Sequence, residues 1–346
     1  MKFDFCIGNP PYNDEQGIGD QKNFAKPVYH TFIESAYRIS DKVELIHPAR
    51  FLYNAGATPK EWNEKMLKDP HFKILKYEAD SRDIFGPNVS ITGGIAITYH
   101  DDTRLFEAVN TFTAFPVLNR IINKVTNSED FVSLDNIIFI QTRLDLDNLY
   151  SDHPEYENKC GRDNRLERNI FDKIDCFTTS QLHDSDIRII GMEERKRKWK
   201  YIDSKYILSN HENLYKWKVL MSTSNGGAGN ICSSPVSICG EPYICEPGEG
   251  YTRTFVGIGQ FDTKKEAENL SKYIKTRFCR CMLGVLKATQ LMNKEVWHMI
   301  PIQDFTDKSN IDWSQSVNKI DVQLNNKYHL DDEEIQFIVE HIKEME

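Results

Sequence analysis

The sequence has no long hydrophobic run and no paired cysteines at metal-ligand spacing. None of its apolar stretches approaches the ~18 residues of a membrane-spanning helix, and Asp4 interrupts the N-terminus where a signal peptide would stay apolar. The eight cysteines are scattered, and Cys232, Cys239 and Cys245 form no C-x-x-C pair and have no histidine at ligand spacing. These absences predict a cytoplasmic protein with reduced thiols and with no disulfide, bound metal or membrane segment.

Positive charge is also scarce. The chain carries 43 Lys and Arg against 52 Asp and Glu, a net charge of −9, which argues mildly against nucleic acid as a partner. The basic residues are locally concentrated, however, because Arg195, Lys196, Arg197 and Lys198 stand together beside Trp199. This run fits either a solvated helix face or a stripe that contacts phosphates.

Strand-like and helix-like segments alternate in the N-terminal part of the chain. Apolar runs predict strands at residues 3–8, 43–48, 72–77 and 94–99, with a turn at 83–87. A helix is predicted over 27–39, with Val28, Phe32, Ala36 and Ile39 on its apolar face, and another begins at Thr58 as N-cap. This alternation predicts a mostly parallel sheet with both faces covered.

The part of the chain after residue 115 does not show this regular alternation of strands and helices. Helices are expected over roughly 115–170, with a strand-like patch at 137–140 and a polar loop or insertion over 145–168. A second region, 187–304, is rich in strands and turns and contains a helix after Asp262 as N-cap. The tail, 331–345, is predicted as a helix with acids at its start, as the helix dipole favours.

The most informative element is Asn9-Pro10-Pro11-Tyr12, directly after an apolar strand. Four such residues alone can be a Pro-rich turn. In context, FDFCIGNPPYN resembles motif IV of the amino-methyltransferases that act on adenine in DNA. The resemblance implies that the Asn9 side-chain carbonyl and the Pro10 backbone carbonyl accept hydrogen bonds from the target amine, while Tyr12 stacks on a flipped base.

Further segments follow in the family's order. KPVYHTFIESA resembles motif V, LIHPARFLYNAG resembles the following strand and loop, and DSRDIFGPNVSITGGIAIT is similar to motif VIII. In motif VIII an aromatic residue stacks on the base opposite the motif IV tyrosine, and the matching residue is Phe85. The resemblance therefore implies that Tyr12 and Phe85 sandwich the adenine.

The distal half resembles the target-recognition region of gamma-type enzymes in the large restriction–modification methylases. The matching stretches are YKWKVLMSTSNGGAG, GEPYICEPGEGYTRTFVGIGQFDTKKEAENLSKYIKTRFCRCMLGVLK and VWHMIPIQDF. Double-stranded DNA is the implied partner. The candidate contacts, beside the basic run, are Lys218, Arg253, Arg277, Lys287 and the loop Asn225-Gly226-Gly227.

The resemblance implies an α/β fold, with a partial Rossmann-like methyltransferase sheet and flanking helices, plus an α+β target-recognition domain. We expect the C-terminal half of a catalytic domain at 1–115 and a helical and loop connection at 116–186. The recognition domain follows at 187–304 and a helical tail at 305–346.

In gamma-type enzymes the S-adenosylmethionine site precedes motif IV, yet eight residues precede Asn9. Neither Gly257-Ile258-Gly259 nor the stretch 225–230 has the context of a displaced cofactor turn, although a circular permutation is an alternative. We therefore expect a fragment or subunit that binds no S-adenosylmethionine and is inactive alone. A cofactor-binding half would complement it, and the strand Phe3–Ile7 would be an exposed edge prone to self-association or pairing with another chain.

Two other functions stay open at this point. The chain can be a non-catalytic DNA-recognition subunit or an inactive remnant. It can also be a restriction endonuclease, whose chemistry needs clustered carboxylates and a lysine. The nearest candidates, Glu61 and Glu64-Lys65, fall on a predicted helix.

Overall fold

In the computed structural model the chain divides into two units, Met1–Asn119 and Arg120–Glu346. The structure describes residues 2–14, 26–53, 57–89, 91, 93–224, 231, 234–287 and 292–345. The sequence analysis expected four segments instead, at 1–115, 116–186, 187–304 and 305–346. The fold is a mixed α/β arrangement with several sheets.

The first unit contains one four-stranded sheet in the order β1-β2-β4-β3. Its strands are β1 (Phe3–Gly8), β2 (Ser40–Pro48), β3 (Phe72–Glu78) and β4 (Ile95–Asp101). Its helices are α1 (Tyr29–Ile39), α2 (Lys60–Lys68) and α3 (Arg82–Phe85), with a 3₁₀ turn at Arg50–Tyr53.

Three strands of this sheet point in one direction. β1 is parallel to β2, whereas β4 is antiparallel to both β2 and β3. The parallel pair is joined through α1, because parallel neighbours need a crossover connection, while β3 and β4 are joined without one. The sheet is therefore mixed, because one of its three strand pairs is parallel and two are antiparallel. The prediction of a mostly parallel sheet did not include β4, which runs opposite to the other three strands.

Helix α1 buries a different face from the predicted one. Tyr29 and Ile33 are buried with Ala36, while Phe32 and Ile39 are 45% and 47% exposed. The helix begins at Tyr29 rather than at residue 27, and its buried residues lie at the spacing of one helical face. It packs in a core cluster with residues of β2 and α2, including Val43, Leu45, Trp62 and Met66.

β1 is an exposed edge strand. Phe3, Phe5 and Ile7 are 61%, 60% and 75% exposed, and β2 is the one strand with which β1 pairs among the described residues. Alternate side chains of a strand share a face. The three therefore form a row of exposed apolar side chains along an unpaired edge, which we call the β1 row.

The second unit contains two further sheets, with strand orders β10-β6-β7 and β5-β11-β8-β9. The strands are β5 (Ile138–Phe139), β6 (Ile187–Glu193), β7 (Lys196–Ile202), β8 (Trp217–Ser222), β9 (Tyr243–Cys245), β10 (Glu249–Tyr251) and β11 (Phe255–Phe261). The helices, beginning with one that crosses the unit boundary, are α4 (Pro116–Thr126), α5 (Leu146–Asp152), α6 (Glu157–Cys160), α7 (Ile170–Lys173), α8 (Lys264–Lys275), α9 (Arg277–Leu286), α10 (Val317–Lys327) and α11 (Asp332–His341).

The polar stretch 145–168 is not a loop or an insertion. It contains α5 and α6, and Leu149, Tyr156 and Leu166 are buried in one cluster with Ile187 and Ile202. Apolar residues are sparse in this stretch, but each of these three is buried. The boundary expected at residue 186 therefore does not separate two cores.

The basic run is a β-hairpin rather than a helix face. β6 and β7 pair from Ile187↔Ile202 to Glu193↔Lys196, and Glu194 and Arg195 form the turn with φ of +50° and +64°. Such two-residue turns suit the twist of a hairpin, although these residue types do not favour positive φ. The four basic side chains therefore lie on the turn and on β7.

Two predicted helices begin close to the expected residues, and each has a capping box at its start. α8 begins after Thr263, not Asp262, and Thr263 forms a reciprocal capping box with Glu266. The predicted tail helix is α11, which Asp331 caps in the same way. The longest described helix, α8, has 12 residues, and no described helix is long and apolar enough to cross a membrane.

Candidate functional site

The Asn9–Tyr12 segment leaves the end of β1 and is tied to the start of α1. The Val28 backbone N–H donates to the Tyr12 carbonyl at 3.0 Å, and Asp14 N–H donates to the Lys26 carbonyl at 2.9 Å. These bonds fix the exit of the segment, and the two prolines restrict its backbone. The motif is therefore anchored at both ends.

The two residues that carry the predicted acceptors are at least partly exposed. Asn9 is exposed and Pro10 half-buried. Among the described residues, no donor forms a hydrogen bond with the Pro10 carbonyl. No donor in the described part of the chain therefore competes for this oxygen, which is consistent with the motif IV interpretation.

Tyr12 combines a packed ring with an unsatisfied hydroxyl. Its ring packs against the core cluster of the first unit. Burial raises the pKa of Tyr12 to about 12, and the neighbouring Asn9 side chain opposes this shift. The hydroxyl is buried and makes no well-formed hydrogen bond with a described residue. Tyr12 is therefore a neutral phenol at physiological pH.

Phe85 lies opposite Tyr12. The ring centroids are 6.5 Å apart and the planes are inclined at 59°. A base between two rings needs about 7 Å, which is two aromatic contacts of roughly 3.5 Å each. The separation is close to that value, and the planes would have to rotate toward parallel to hold a flat base.

Ser81, which the sequence analysis did not single out, fixes the loop that carries Phe85. Its buried hydroxyl donates to the Val89 carbonyl at 2.9 Å and accepts from the Ile91 N–H at 2.8 Å. Its carbonyl accepts from the Phe85 N–H at 2.9 Å. One serine thus closes the segment from 81 to 91 around Phe85. The signal in the sequence was a serine at the start of a short helix, DSRDIF.

His47 supports the end of β2 from inside the core. It is fully buried, its Nε2 lies 2.7 Å from Thr98 Oγ1, and its Nδ1 lies 3.2 Å from the Pro48 carbonyl. The ring stacks on Tyr29 with 5.9 Å between centroids and 5° between planes. Burial lowers the pKa of His47 to about 4 against the opposing Pro48 hydrogen bond, so the imidazole is neutral at pH 7.

Two of the predicted DNA contacts are buried, which corrects the prediction. Lys218 is 0% exposed, and its ammonium donates to the carbonyls of Leu214, Lys216 and Glu246 at 3.2, 3.0 and 3.1 Å. Lys287 is 1% exposed and donates to the Ile238 carbonyl. Both lysines bind backbone carbonyls inside the second unit and cannot reach a phosphate in this conformation.

Two other candidates have protein partners. Arg277 donates to the Ile342 carbonyl at 3.2 Å and to Glu344 at 3.3 Å. Arg253 is exposed but forms an ion pair with Glu167 at 3.2 Å. The loop Asn225-Gly226-Gly227 lies outside the described residues.

The hairpin retains exposed positive charge at its tip. Arg195 and Lys196 are exposed and have no carboxylate within ion-pair distance among the described residues. Arg197 lies 5.4 Å over the ring of Phe255. Glu193 accepts from Lys198 at 2.5 Å and also pairs with Lys200, so the Lys198 charge is compensated.

The described residues offer no cofactor turn or metal cluster. Gly257 and Gly259 lie inside strand β11 rather than between a strand and a helix. A Cβ at Gly257 would meet the Tyr251 hydroxyl at 2.2 Å, so no ligand phosphate fits there. In the described ranges no three His, Cys, Asp or Glu side chains cluster around a possible metal position. Glu61 and Glu64 lie on α2, where the sequence predicted a helix.

Residues 1–85, which contain Tyr12 and Phe85, match the family model described as "Eco57I restriction-modification methylase". Over this segment the chain is similar to that family. The predicted resemblance to the type II restriction–modification adenine methylases is thereby confirmed.

Two individual proteins are similar to the chain. An "Uncharacterized adenine-specific methylase" of Mycoplasma pneumoniae is 26% identical over 183 residues, which cover 53% of this chain and 39% of that relative. The chain therefore spans well under half the length of that relative. The crystal structure of the type IIG restriction endonuclease BpuSI aligns with a TM-score of 0.30 at 7% identity, covering 85% of this chain and 44% of the other. A TM-score this low does not establish that the two chains share a fold.

Proposed function

We propose that the chain is the base-binding and DNA-recognition part of an adenine-N6 DNA methyltransferase of a restriction–modification system. The observation that carries this proposal is the facing pair Tyr12 and Phe85, within the segment that matches the family model. The Pro10 carbonyl, two residues before Tyr12, accepts no hydrogen bond from a described residue.

The chemistry follows from the amine. An exocyclic amine conjugated to a purine is a poor nucleophile, because its lone pair is delocalised into the ring. Hydrogen bonds from its two N–H groups to Asn9 Oδ1 and to the Pro10 carbonyl would draw electron density back toward nitrogen and aim the lone pair. Positioning of this kind accounts for much of the rate enhancement in enzymes, and no side chain with a shifted pKa is needed as a base.

The aromatic pair would hold the base outside the duplex. Stacking contributes about 1–3 kcal/mol for each aromatic contact with a base. Two contacts would offset the cost of unstacking and unpairing, which is a few kcal/mol. The serine clamp at Ser81 would keep the Phe85 ring at the required separation.

The second unit would recognise duplex DNA. Arg195 and Lys196 at the hairpin tip are exposed and have no carboxylate within ion-pair distance among the described residues, whereas the exposed Arg253 is paired with Glu167. Such residues position a protein on the phosphate backbone without reading sequence. We assign the hairpin tip as the principal phosphate contact, in place of the buried Lys218 and Lys287.

In the complete enzyme the methyl group would come from S-adenosylmethionine. Gly257 and Gly259 lie inside β11 rather than between a strand and a helix, so they do not form the Gly-rich turn of such a cofactor site. We propose that another polypeptide, or another part of a longer protein, supplies the cofactor site, and that the sheet of the first unit is one part of a Rossmann-like methyltransferase sheet. The unpaired edge of β1 and the β1 row are where further strands would join.

The direct test is methyl transfer with matched variants. Tritiated S-adenosylmethionine, duplex DNA and this chain would be combined with the product of any adjacent upstream reading frame that encodes a cofactor-binding half. Asn9→Ala should lower transfer by about 10²-fold, the scale of removing one positioned hydrogen-bonding group. Asn13→Ala removes the same side chain four residues away and should leave the rate unchanged. Equal rates for both variants would refute the role of Asn9.

The second candidate function is a non-catalytic DNA-recognition subunit, favoured by the exposed Arg195 and Lys196 at the hairpin tip. It predicts duplex binding that depends on the hairpin tip but no methylated adenine in any combination. A fluorescent 2-aminopurine at candidate target positions separates the two functions. A change in 2-aminopurine fluorescence in Tyr12→Ala and in Phe85→Ala shows that these rings stack on the base, and this supports base flipping. Fluorescence equal to that of the wild type in both variants supports recognition without base flipping.

A further inference from the structure

We propose that Arg197 reads a guanine in the major groove of duplex DNA and thereby determines part of the sequence specificity. This inference rests on the proposed recognition of DNA by the second unit, and it adds a base contact to the phosphate contacts assigned to Arg195 and Lys196. The observations that carry it are the two-stranded end of the β6–β7 hairpin, the face of that end on which Arg197 lies and the unused donors of its guanidinium.

The end of the hairpin consists of two strands among the described residues. β10 pairs with β6 from Arg188 to Ile190, and on the other side β7 has a bridge from Tyr201 to Thr178. Residues 191–198 pair with no further strand, and we call them the two-stranded end. Three residues on each strand give it a length of about 10 Å. The major groove is about 12 Å wide and about 8.5 Å deep and admits a two-stranded ribbon, so the two-stranded end is as long as the groove is deep.

The two faces of this end differ in charge. Lys196 and Lys198 share one face with Glu193, because alternate residues of a strand and directly paired residues of an antiparallel ladder lie on the same side. Glu193 compensates Lys198 at 2.5 Å. Arg197 lies on the opposite face, where it is paired with Met192. Among the described residues, no carboxylate lies within ion-pair distance of Arg197, so its charge is not compensated.

The guanidinium of Arg197 is supported by a ring but has no hydrogen-bond partner. Its central carbon lies 5.4 Å from the centroid of the Phe255 ring, within the range of a cation–π contact. Phe255 is buried in a cluster with Ile190 and Tyr251, so the position of the ring is fixed. The guanidinium forms no hydrogen bond with a described residue, and it carries five N–H donors. The ring therefore restricts the side chain and leaves its donors to a ligand, which lowers the entropy cost of binding.

Arg188 provides a comparison on the same face of the hairpin. It is paired with Tyr201, which lies four residues after Arg197 on β7. Its guanidinium lies 4.3 Å from the centroid of Trp199, but it also donates to Glu249 at 2.9 Å. Arg188 therefore has both an aromatic support and a carboxylate, and it stabilises the sheet. Arg197 has the aromatic support alone.

Guanine is the base that matches such a group. Its O6 and N7 are two adjacent acceptors in the major groove, and two parallel N–H donors of a guanidinium bind both. Adenine and cytosine present an amino donor there, and thymine presents a single acceptor beside a methyl group. The face that carries Glu193 would set a carboxylate against polyanionic DNA. The face of Arg197 is therefore the one that fits against the bases.

The experiment is selection of bound molecules from a random duplex library by the full chain, followed by sequencing. The wild type should enrich a sequence with guanine, on either strand, at one position or more. Replacing the guanine that Arg197 reads should weaken binding by about 5-fold to 100-fold, the discrimination of one bidentate pair. The amide of glutamine is bidentate with adenine instead. Arg197→Gln should therefore lose the guanine preference at one position, or exchange it for adenine, and keep the preference at every other position.

Lys196→Gln is the matched control. It removes one positive charge from the neighbouring residue on the opposite face. It should weaken binding of all duplexes about equally, as expected for a phosphate contact, and keep every base preference. Both side chains are exposed, so both variants should unfold at the temperature of the wild type.

The proposal is overturned if Arg197→Gln selects the same base as the wild type at every position. It is also overturned if the wild type binds duplexes without any sequence preference, a result that leaves the phosphate contacts of the hairpin tip intact. Failure of the wild type to bind any duplex would refute DNA recognition by the second unit, and this inference with it. Methyl transfer is not a readout here, so the test does not depend on catalysis.

Discussion

Acidification should loosen the sheet of the first unit through a single buried imidazole. His47 is neutral in the folded chain, because burial lowers its pKa to about 4, whereas in the unfolded chain a histidine has a pKa of about 6.5. Between these values the unfolded chain binds one more proton than the folded chain. The free energy of unfolding therefore falls as the pH falls from 6.5 toward 4, and no penalty from His47 exists above that window.

The size of the effect follows from the same two values. Each pKa unit corresponds to about 1.4 kcal/mol, so acidification from pH 7 to pH 4.5 should remove roughly 2–3 kcal/mol through His47. His47→Gln does not titrate and can keep a hydrogen bond to Thr98. At pH 7 it should cost about 1 kcal/mol, because the stack on Tyr29 is lost. At pH 4.5 the variant should be the more stable protein.

Thermal unfolding of the whole chain would combine the opposite pH dependences of His47 and Asp321. In the second unit, burial raises the pKa of Asp321 to about 6, so that unit gains stability as the pH falls through the same window. Hydrogen exchange read by mass spectrometry, on peptides covering β2 and β4 and corrected for the intrinsic rate at each pH, isolates the first unit. His183→Gln, an exposed histidine in the second unit, is the matched control.

The reasoning is refuted if protection of the β2 and β4 amides falls equally in the wild type and in His47→Gln. It is also refuted if His183→Gln reproduces the effect, because the pH dependence would then not come from the buried ring.

Three further predictions test the site and the corrected DNA contacts. Ser81→Ala removes both hydrogen bonds of the Ser81 hydroxyl and should lower the free energy of unfolding by roughly 1–3 kcal/mol. It should also weaken stacking of 2-aminopurine on Phe85. Stacking at the wild-type level would show that Ser81 does not position Phe85. Arg195→Gln should reduce the salt dependence of duplex binding by about one phosphate contact, while Lys218→Met should leave it unchanged; the reverse result would restore Lys218 as a contact. Phe5→Lys in the β1 row should reduce any self-association seen by sedimentation velocity, and unchanged association would place the contact elsewhere.

The site near β1 was accessible from sequence because its information is local. Asn9–Tyr12 follows an apolar strand directly, and the segment with Phe85 has a recognisable neighbourhood. Their approach to 6.5 Å is consistent with the order of motifs that the resemblance implied. The antiparallel direction of β4 was not accessible, because the alternation of side chains along a strand is the same in both directions.

The distal errors have a common physical origin. Lys218 and Lys287 were taken for surface residues because lysine is usually exposed, yet each is buried with its ammonium on backbone carbonyls. Nothing in a linear sequence indicates that three carbonyls converge on one ammonium. The hairpin at Arg195 could not be predicted for a similar reason. Its charged sequence is also typical of a solvated helix, and the ion pairs of Glu193 with Lys198 and Lys200 form only when the two strands are paired.

The position of β1 at the margin of its sheet has a consequence for assembly. Hydrogen bonds between backbones carry almost no information about which chain is the right one, so any extended segment satisfies them equally. Selectivity must then come from what flanks them, and Phe3, Phe5 and Ile7 are the side chains that a correct neighbour would have to cover. Because Asn9 follows directly after the end of β1, a strand added at that edge would extend the sheet without displacing the segment Asn9–Tyr12.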